Sequence, residues 1–248
     1  MSERATSRFK EGLHGALAVS IIACLLALLA LPLASASGRS RPNGAQPLAV
    51  LLSGHLVHAG PSRNAPVLTT VSPTRPITGE RTALPVLARR VDRRGVAWLD
   101  VMLPGRPNSS TGWIAQQGTR RASTPWSLRV DLGRRRVSAY WHGRLLRSFA
   151  AVVGKPSTPT PSGRFFVEET VQMRRGEPGG PYALTLSARS DVLQEFEGGP
   201  GQIAVHGREN LGGHLGSAES HGCVRLATAS IDWLAARIGP GVPVRIIG

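Results

Sequence analysis

The sequence predicts a mainly β protein, a small β-barrel followed by a larger β-sandwich domain with one clear helix. Three observations carry this expectation. Short apolar runs broken by Pro and Gly recur from Leu48 to the end of the chain, which is the spacing of strands rather than helices. Only ATASIDWLAARIG has a helical period, with Ile231, Leu234, Ala235 and Ile238 on one face. The strand-like runs also fall into two blocks, parted by GTRRASTPW at 118–126.

Residues 1–36 read as an export segment. Residues 13–34 hold no Asp, Glu, Lys or Arg and follow Arg4, Arg8 and Lys10, the layout of a signal peptide or an uncleaved signal anchor. Ala34, Ser35 and Ala36 form a small-residue cleavage triplet, and residues 37–47 form a polar linker. Cys24 reads as a small apolar residue within the apolar run, with a loose lipobox at Ile21–Cys24 as the weaker reading. The rest of the chain is therefore expected outside the cytoplasm, secreted or held by the N-terminal segment. A membrane partner is expected only through that segment, if it stays uncleaved.

Without residues 1–36, Cys223 is the one cysteine left, so an intrachain disulfide has no second partner. Such a thiol is either buried and inert or kept for its chemistry.

The charge is +15, and since only Lys10 and Lys155 are lysines, 28 of the 30 basic residues are arginine. An exported chain this basic is drawn to anionic polymers or surfaces. Nucleic acid is the other usual partner of such a charge. Here the arginines are spread over strand-like segments such as RRVDRR and GRRRVS, with few aromatics among them, which argues against it.

The block 48–117 carries the runs PLAVLL, APVLTTV, ALPVLARRV, GVAWLDVML and TGWIAQQ, with a long β-loop between Val101 and Ile114. Trp98 and Trp113 are expected to pack its core or line a groove. This block resembles a bacterial SH3-like module, for which wall binding and a spacer role are both open. Residues 118–126 are expected to be a linker.

The block 127–248 carries SLRVDL, RRRVSAYW, LLRSFAAVVG, RFFVEETVQM, YALTLSA, QIAVHG and VPVRII, with a Trp-His-Gly hairpin turn at His142. Thr228 or Ser230 is expected to cap the helix, and Gly239 with Pro240 to end it. Cys223 then lies on a loop between the strand IAVHG and the helix, where reactive side chains are commonly displayed.

In SHGCVRL (220–226), His221 stands two residues before Cys223. A thiol attacks a carbonyl as the thiolate, and an imidazole within reach takes the proton. Gly222 frees the backbone, and N–H groups of Gly222 and Cys223 are candidate oxyanion donors. This is the residue set of an acyl-transfer site.

SHGCVRL, preceded by IAVHG with 14 residues between His206 and His221, resembles the signature of the L,D-transpeptidases, or YkuD domain. VVGKPSTPTPSGRF (152–165) is similar to the family's Thr-Pro-x-Gly stretch, with Ser162 at the variable position. GPGVPVRII resembles its ending, with Val242 in place of threonine. The resemblance spans residues 127–248 and implies a YkuD-type β-sandwich. It implies Cys223 as nucleophile, His221 as proton acceptor, Ser220 as the group orienting that imidazole, and Gly222 with Cys223 as oxyanion donors. His206 would help to place substrate or share in the oxyanion site, and Gly207 would help to bind substrate. Arg225 would support the loop or meet a substrate carboxylate, and Tyr182 would belong to a lid.

The implied reaction is attack on a peptidoglycan stem peptide, release of terminal D-alanine and transfer of the acyl group to an amine of a second stem. With water as acceptor the enzyme would be an L,D-carboxypeptidase. A silent cysteine would instead leave a wall-binding protein.

No cofactor or metal is implied. His206, His221 and Cys223 carry zinc-ligating groups, but His-x-Cys is tight for two ligands and no further Cys or carboxylate cluster completes a tetrahedron. His55, His58 and His142 read as partly buried hydrogen-bonding groups, His214 as a loop residue near the site, and Glu209 and Glu219 as surface charges. The partners expected are stem peptides and anionic wall polymers, not nucleic acid.

Overall fold

The structure, a computed structural model, describes residues 44–196 and 198–248. The expectations for residues 1–36, and for 37–43 of the first linker, lie outside the described residues. Among the described residues no helix is long and apolar enough to cross a membrane.

The N-terminal strands are β1 (Gln46–Leu51), β2 (His55–His58), β3 (Val67–Val71), β4 (Ala83–Val91), β5 (Ala97–Met102), β6 (Thr111–Ala115) and β7 (Thr119–Thr124). They form one sheet in the order β3-β2-β6-β5-β4-β1-β7. Two corrections follow. β1 begins at Gln46, inside the expected first linker, and β7 occupies most of the expected linker 118–126. β7 pairs along the whole of β1, from Gln46 opposite Thr124 to Leu51 opposite Thr119. That pairing is made by backbone groups, so a strand reading TRRAST needs no apolar alternation.

Leu51, Leu84, Trp98 and Ile114 are fully buried in this half. Trp98 donates its Nε1–H to Asp92 Oδ2 at 3.0 Å, while Trp113 is half-buried. His58 shares Nδ1 with Ala65 O at 2.9 Å and His55 shares Nε2 with Gly118 O at 3.2 Å, both buried as expected. His142 differs. It is exposed in the two-residue turn His142–Gly143, both at positive φ (47° and 77°), with its ring edge-on to Trp141. Two successive positive φ angles make the primed turn that matches strand twist.

The C-terminal half contains β8 (Trp126–Asp131), β9 (Arg136–Trp141), β10 (Arg144–Ala150), β11 (Val153–Gly154), β12 (Gly163–Gln172), β13 (Tyr182–Arg189), β14 (Gln202–His206), β15 (Ala218–Ser220), β16 (Val224–Arg225), α1 (Thr228–Ala235) and β17 (Pro243–Ile247). Eight of these strands form a sheet in the order β10-β9-β8-β17-β12-β13-β14-β16, and β11 pairs with β15. Among the described residues the class is the predicted one, mainly β with one helix.

α1 packs on β13 and buries Ile231 and Leu234, with Ile238 joining the same core beyond the helix end. Its cap is a correction: the N-cap is Ala227, with no side-chain cap, and Ala227 O takes the N–H groups of Ser230 and Ile231. The helix stops at Ala235 with Ala236 as C-cap, ahead of Gly239.

β12 joins the halves. Successive side chains on a strand face opposite ways. Phe165 therefore enters the C-terminal core, while Phe166 packs with Leu51, Leu84 and Ile114 in the N-terminal core. The loop after β5 adds polar ties to the other half. Asn108 accepts from Arg189 N at 2.8 Å and donates to Arg189 O at 2.7 Å, and Arg106 donates to Ser190 O at 2.7 Å.

Truncating Phe166 to Ala is expected to cost about 3–5 kcal/mol, the usual range for a buried Phe. Urea unfolding of the full chain reads this as a lower midpoint of a single transition. Separate transitions for the two halves contradict the shared core.

Candidate active site

The turn between β15 and β16 is built by its own polar atoms. Ser220 is fully buried; its hydroxyl accepts Gly222 N–H at 3.1 Å and donates to Cys223 O at 2.5 Å. Its carbonyl accepts Lys155 N–H at 2.9 Å and the Thr158 hydroxyl at 3.3 Å. Thr160 donates its hydroxyl to Gly222 O at 2.7 Å and accepts Gly154 N–H at 2.9 Å. The loop KPSTPTPSG is thus a brace beneath the turn. Gly222 has φ +121°, and a Cβ there would lie 3.1 Å from Ile203 Cδ1, so only glycine fits comfortably.

Both oxygens of Ser220 bond within the turn and its brace, so Ser220 builds the turn that carries His221, and Gly222 N–H closes that turn on Ser220 Oγ.

Cys223 is half-buried against β14. Its Sγ receives the N–H of Ala204 at 3.4 Å and lies 3.9 Å from Gln202 O, to which the thiol donates. His221 is exposed and stacks on Phe196, with centroids 5.7 Å apart and planes 27° apart.

His206 closes β14. Its Nδ1 lies 2.6 Å from Gly207 O, and because a carbonyl only accepts, Nδ1 carries the hydrogen. Burial is the main force that pushes its pKa down to about 4, and the nearby Arg225 charge adds to it. The ring is therefore neutral above that pH, with a lone pair at Nε2. A neutral ring whose one N–H is already used presents an acceptor, not a donor, at Nε2.

Arg225 sits beside His206 in register on β16 and donates Nη1–H to Gly212 O at 2.9 Å. It ties the glycine-rich loop, while its buried Nε has no hydrogen-bond partner among the described residues. Glu219 Oε2 accepts His214 N–H at 3.0 Å and the Ser217 hydroxyl at 2.8 Å, so it builds the same loop.

Cys223, His221, His206 and Arg225 line one groove of about 700 Å³, together with apolar residues such as Leu193 and Phe196. None of the described residues lining it is Asp or Glu. Gly207 and Tyr182 are not on its wall. Gly207 N–H donates to Tyr182 O at 3.3 Å, and the Gly180 carbonyl passes so close that a side chain at 207 would overlap it. The Tyr182 side chain packs against the C-terminal core.

The sequence reading passed over Thr158, Thr160, Gln202, Ala204 and Phe196. Two signals pointed to four of them. Gln202 and Ala204 share the His206 face of β14 by the two-residue period, and the threonines lie in the proline-rich stretch already singled out.

A β-rich domain that sets a half-buried thiol and an imidazole on one groove wall has the makings of a cysteine-dependent acyl-transfer domain. Residues 125–246 match the family model of YkuD, the L,D-transpeptidase catalytic domain. The candidate L,D-transpeptidase YkuD of Bacillus subtilis is 26% identical over 146 residues, covering 59% of this chain and 73% of the relative. Its Bacillus licheniformis namesake is 29% identical over 161 residues, covering 63% and 87%. An L,D-transpeptidase structure from Mycobacterium tuberculosis H37Rv aligns with a TM-score of 0.44 at 15% identity, covering 67% of this chain and 90% of that one.

Two outcomes are expected. Gly222→Ala forces a side chain into a sparsely allowed φ and loses about 1–3 kcal/mol, read by urea denaturation. His206, lowered from 6.5 to about 4, binds its proton more readily in the unfolded chain, so its contribution to stability is complete above pH 6.5 and fades as pH falls towards 4. Unfolding midpoints measured across that window should fall less steeply in His206→Asn than in the unaltered protein.

Proposed function

We propose that the protein is a peptidoglycan L,D-transpeptidase acting outside the cytoplasm, with Cys223 as nucleophile. The observation that carries this is the groove in which Cys223, His221 and Arg225 meet without an acidic residue among its described lining. Such a groove favours a peptide bearing carboxylates over a cationic one. The match of residues 125–246 to the L,D-transpeptidase domain supports the same reading.

His221 takes the thiol proton, and the thiolate attacks the carbonyl between the third residue of a stem and its terminal D-alanine. A C–S bond forms, the C–N bond breaks, and His221 returns the proton to the departing D-alanine amine. The Ala204 N–H at Sγ offers a donor to the anionic sulfur. An amine of a second stem then attacks the thioester, and the C–S bond breaks as the cross-link forms. His206 presents Nε2 as an acceptor for an N–H of donor or incoming amine, and the Arg225 guanidinium, with Nη1 held by Gly212 O, offers its charge and Nη2 to a stem carboxylate.

Incubation with disaccharide tetrapeptides is expected to release D-alanine, and Cys223→Ala to abolish that release. Intact-mass spectrometry after a carbapenem should show one covalent adduct, mapped to Cys223. Unchanged D-alanine release by Cys223→Ala would refute the reading. Cross-linked dimers among the products identify amine transfer, and tripeptides alone identify water as the acceptor.

A further inference from the structure

One wall of the groove comes from the N-terminal half. Arg75, Pro76 and Ile77, on the loop between β3 and β4, line the same cavity as Cys223, His206 and His221.

Buried charge holds that loop in place. The β12–β13 register shifts between Val167 and Glu169, a bulge that breaks the simple alternation of side chains. The neighbouring carboxylates of Glu168 and Glu169 both face the Arg75 guanidinium, and Glu168 also pairs with Arg189 at 3.1 Å. Both acids are almost completely buried, and the two arginine side chains are 10% and 11% exposed. Two cations thus face two carboxylates across the junction between the halves. Buried charges persist only when paired in this way.

Glu169 also fixes the backbone of the loop. Its Oε2 accepts the N–H of Ile77 at 3.2 Å, the N–H of Thr78 at 2.8 Å and the Thr78 hydroxyl at 2.9 Å. Ile77, between these anchors, is 60% exposed. A large apolar side chain left open to water, on a backbone fastened by a buried carboxylate, is a contact prepared in advance. Binding against it costs little ordering of the loop.

We propose that the loop Thr74–Arg81 is a fixed second wall of the substrate groove, and that Ile77 is a specificity-determining residue packing on the alkyl part of a stem peptide. Glu169 and Arg75 are positioning residues that act through Ile77. The identity of the ligand rests on the transpeptidase reading; the role of the wall is read by binding alone.

The test uses the full chain carrying Cys223→Ala, titrated calorimetrically with a tetrapeptide stem so that no turnover intervenes. Adding Ile77→Asp is expected to raise Kd at least tenfold, and Ile77→Val to leave it within about threefold. Glu169→Ala should weaken binding as Ile77→Asp does. Glu169→Gln, which keeps an oxygen for the three donors, should recover most of the affinity. Thermal unfolding checks that each variant is folded, and Ile77→Asp decides the matter if Glu169→Ala does not fold. A folded Ile77→Asp protein that binds as tightly as its parent overturns the wall, as does a parent that binds no stem peptide. D-alanine release by the Cys223-bearing chain is measured separately. Its absence alongside Ile77-dependent binding defeats the transpeptidase reading and leaves the wall standing.

Discussion

Both faces of β12 are covered, and a strand covered on both faces can carry charge only where each charge is answered. Phe165 and Phe166 divide between two cores, and two residues later Glu168 and Glu169 meet Arg75 and Arg189. The same short stretch therefore sets the hydrophobic contact between the halves and the position of the loop that overlooks the groove. The N-terminal sheet is neither a free spacer nor a detached binding module in this arrangement. It is part of the surroundings of Cys223.

The turn that carries Cys223 obeys a related constraint on a smaller scale. Its backbone groups are buried, so they must be satisfied locally. Ser220, Thr158 and Thr160 supply that satisfaction, and Gly222 supplies the backbone angle no other residue adopts easily. What remains uncommitted to the turn is the His221 side chain, which faces the groove. His206 and Arg225 stand side by side on adjacent parallel strands; burial keeps the imidazole neutral, and the Arg225 charge adds a smaller push in the same direction.

Much of this was legible in the sequence. The apolar runs located most of the strands, the one helical period located α1, and the spacing from His206 to His221 and Cys223 located the groove wall. The missing pieces share a cause. β7 reads as a linker because backbone pairing leaves no apolar trace, and the part Ser220 plays in building the turn is hidden because its hydroxyl partners are main-chain atoms. Tyr182 reads as a lid because the motif cannot say which way its ring turns. The arginines that look scattered along the chain, Arg129, Arg164 and Arg245, stand in one row across β8, β17 and β12.

The sequence by itself determined the mainly β class, the position of α1, the cysteine two residues from an imidazole and the strong positive charge, because each depends on residue type and local spacing. Only the tertiary structure decided that Arg75 and Ile77 share a cavity with Cys223. They are far apart along the chain, and what brings them together is a bulge and a set of buried ion pairs, neither of which has a local signature in the order of residues.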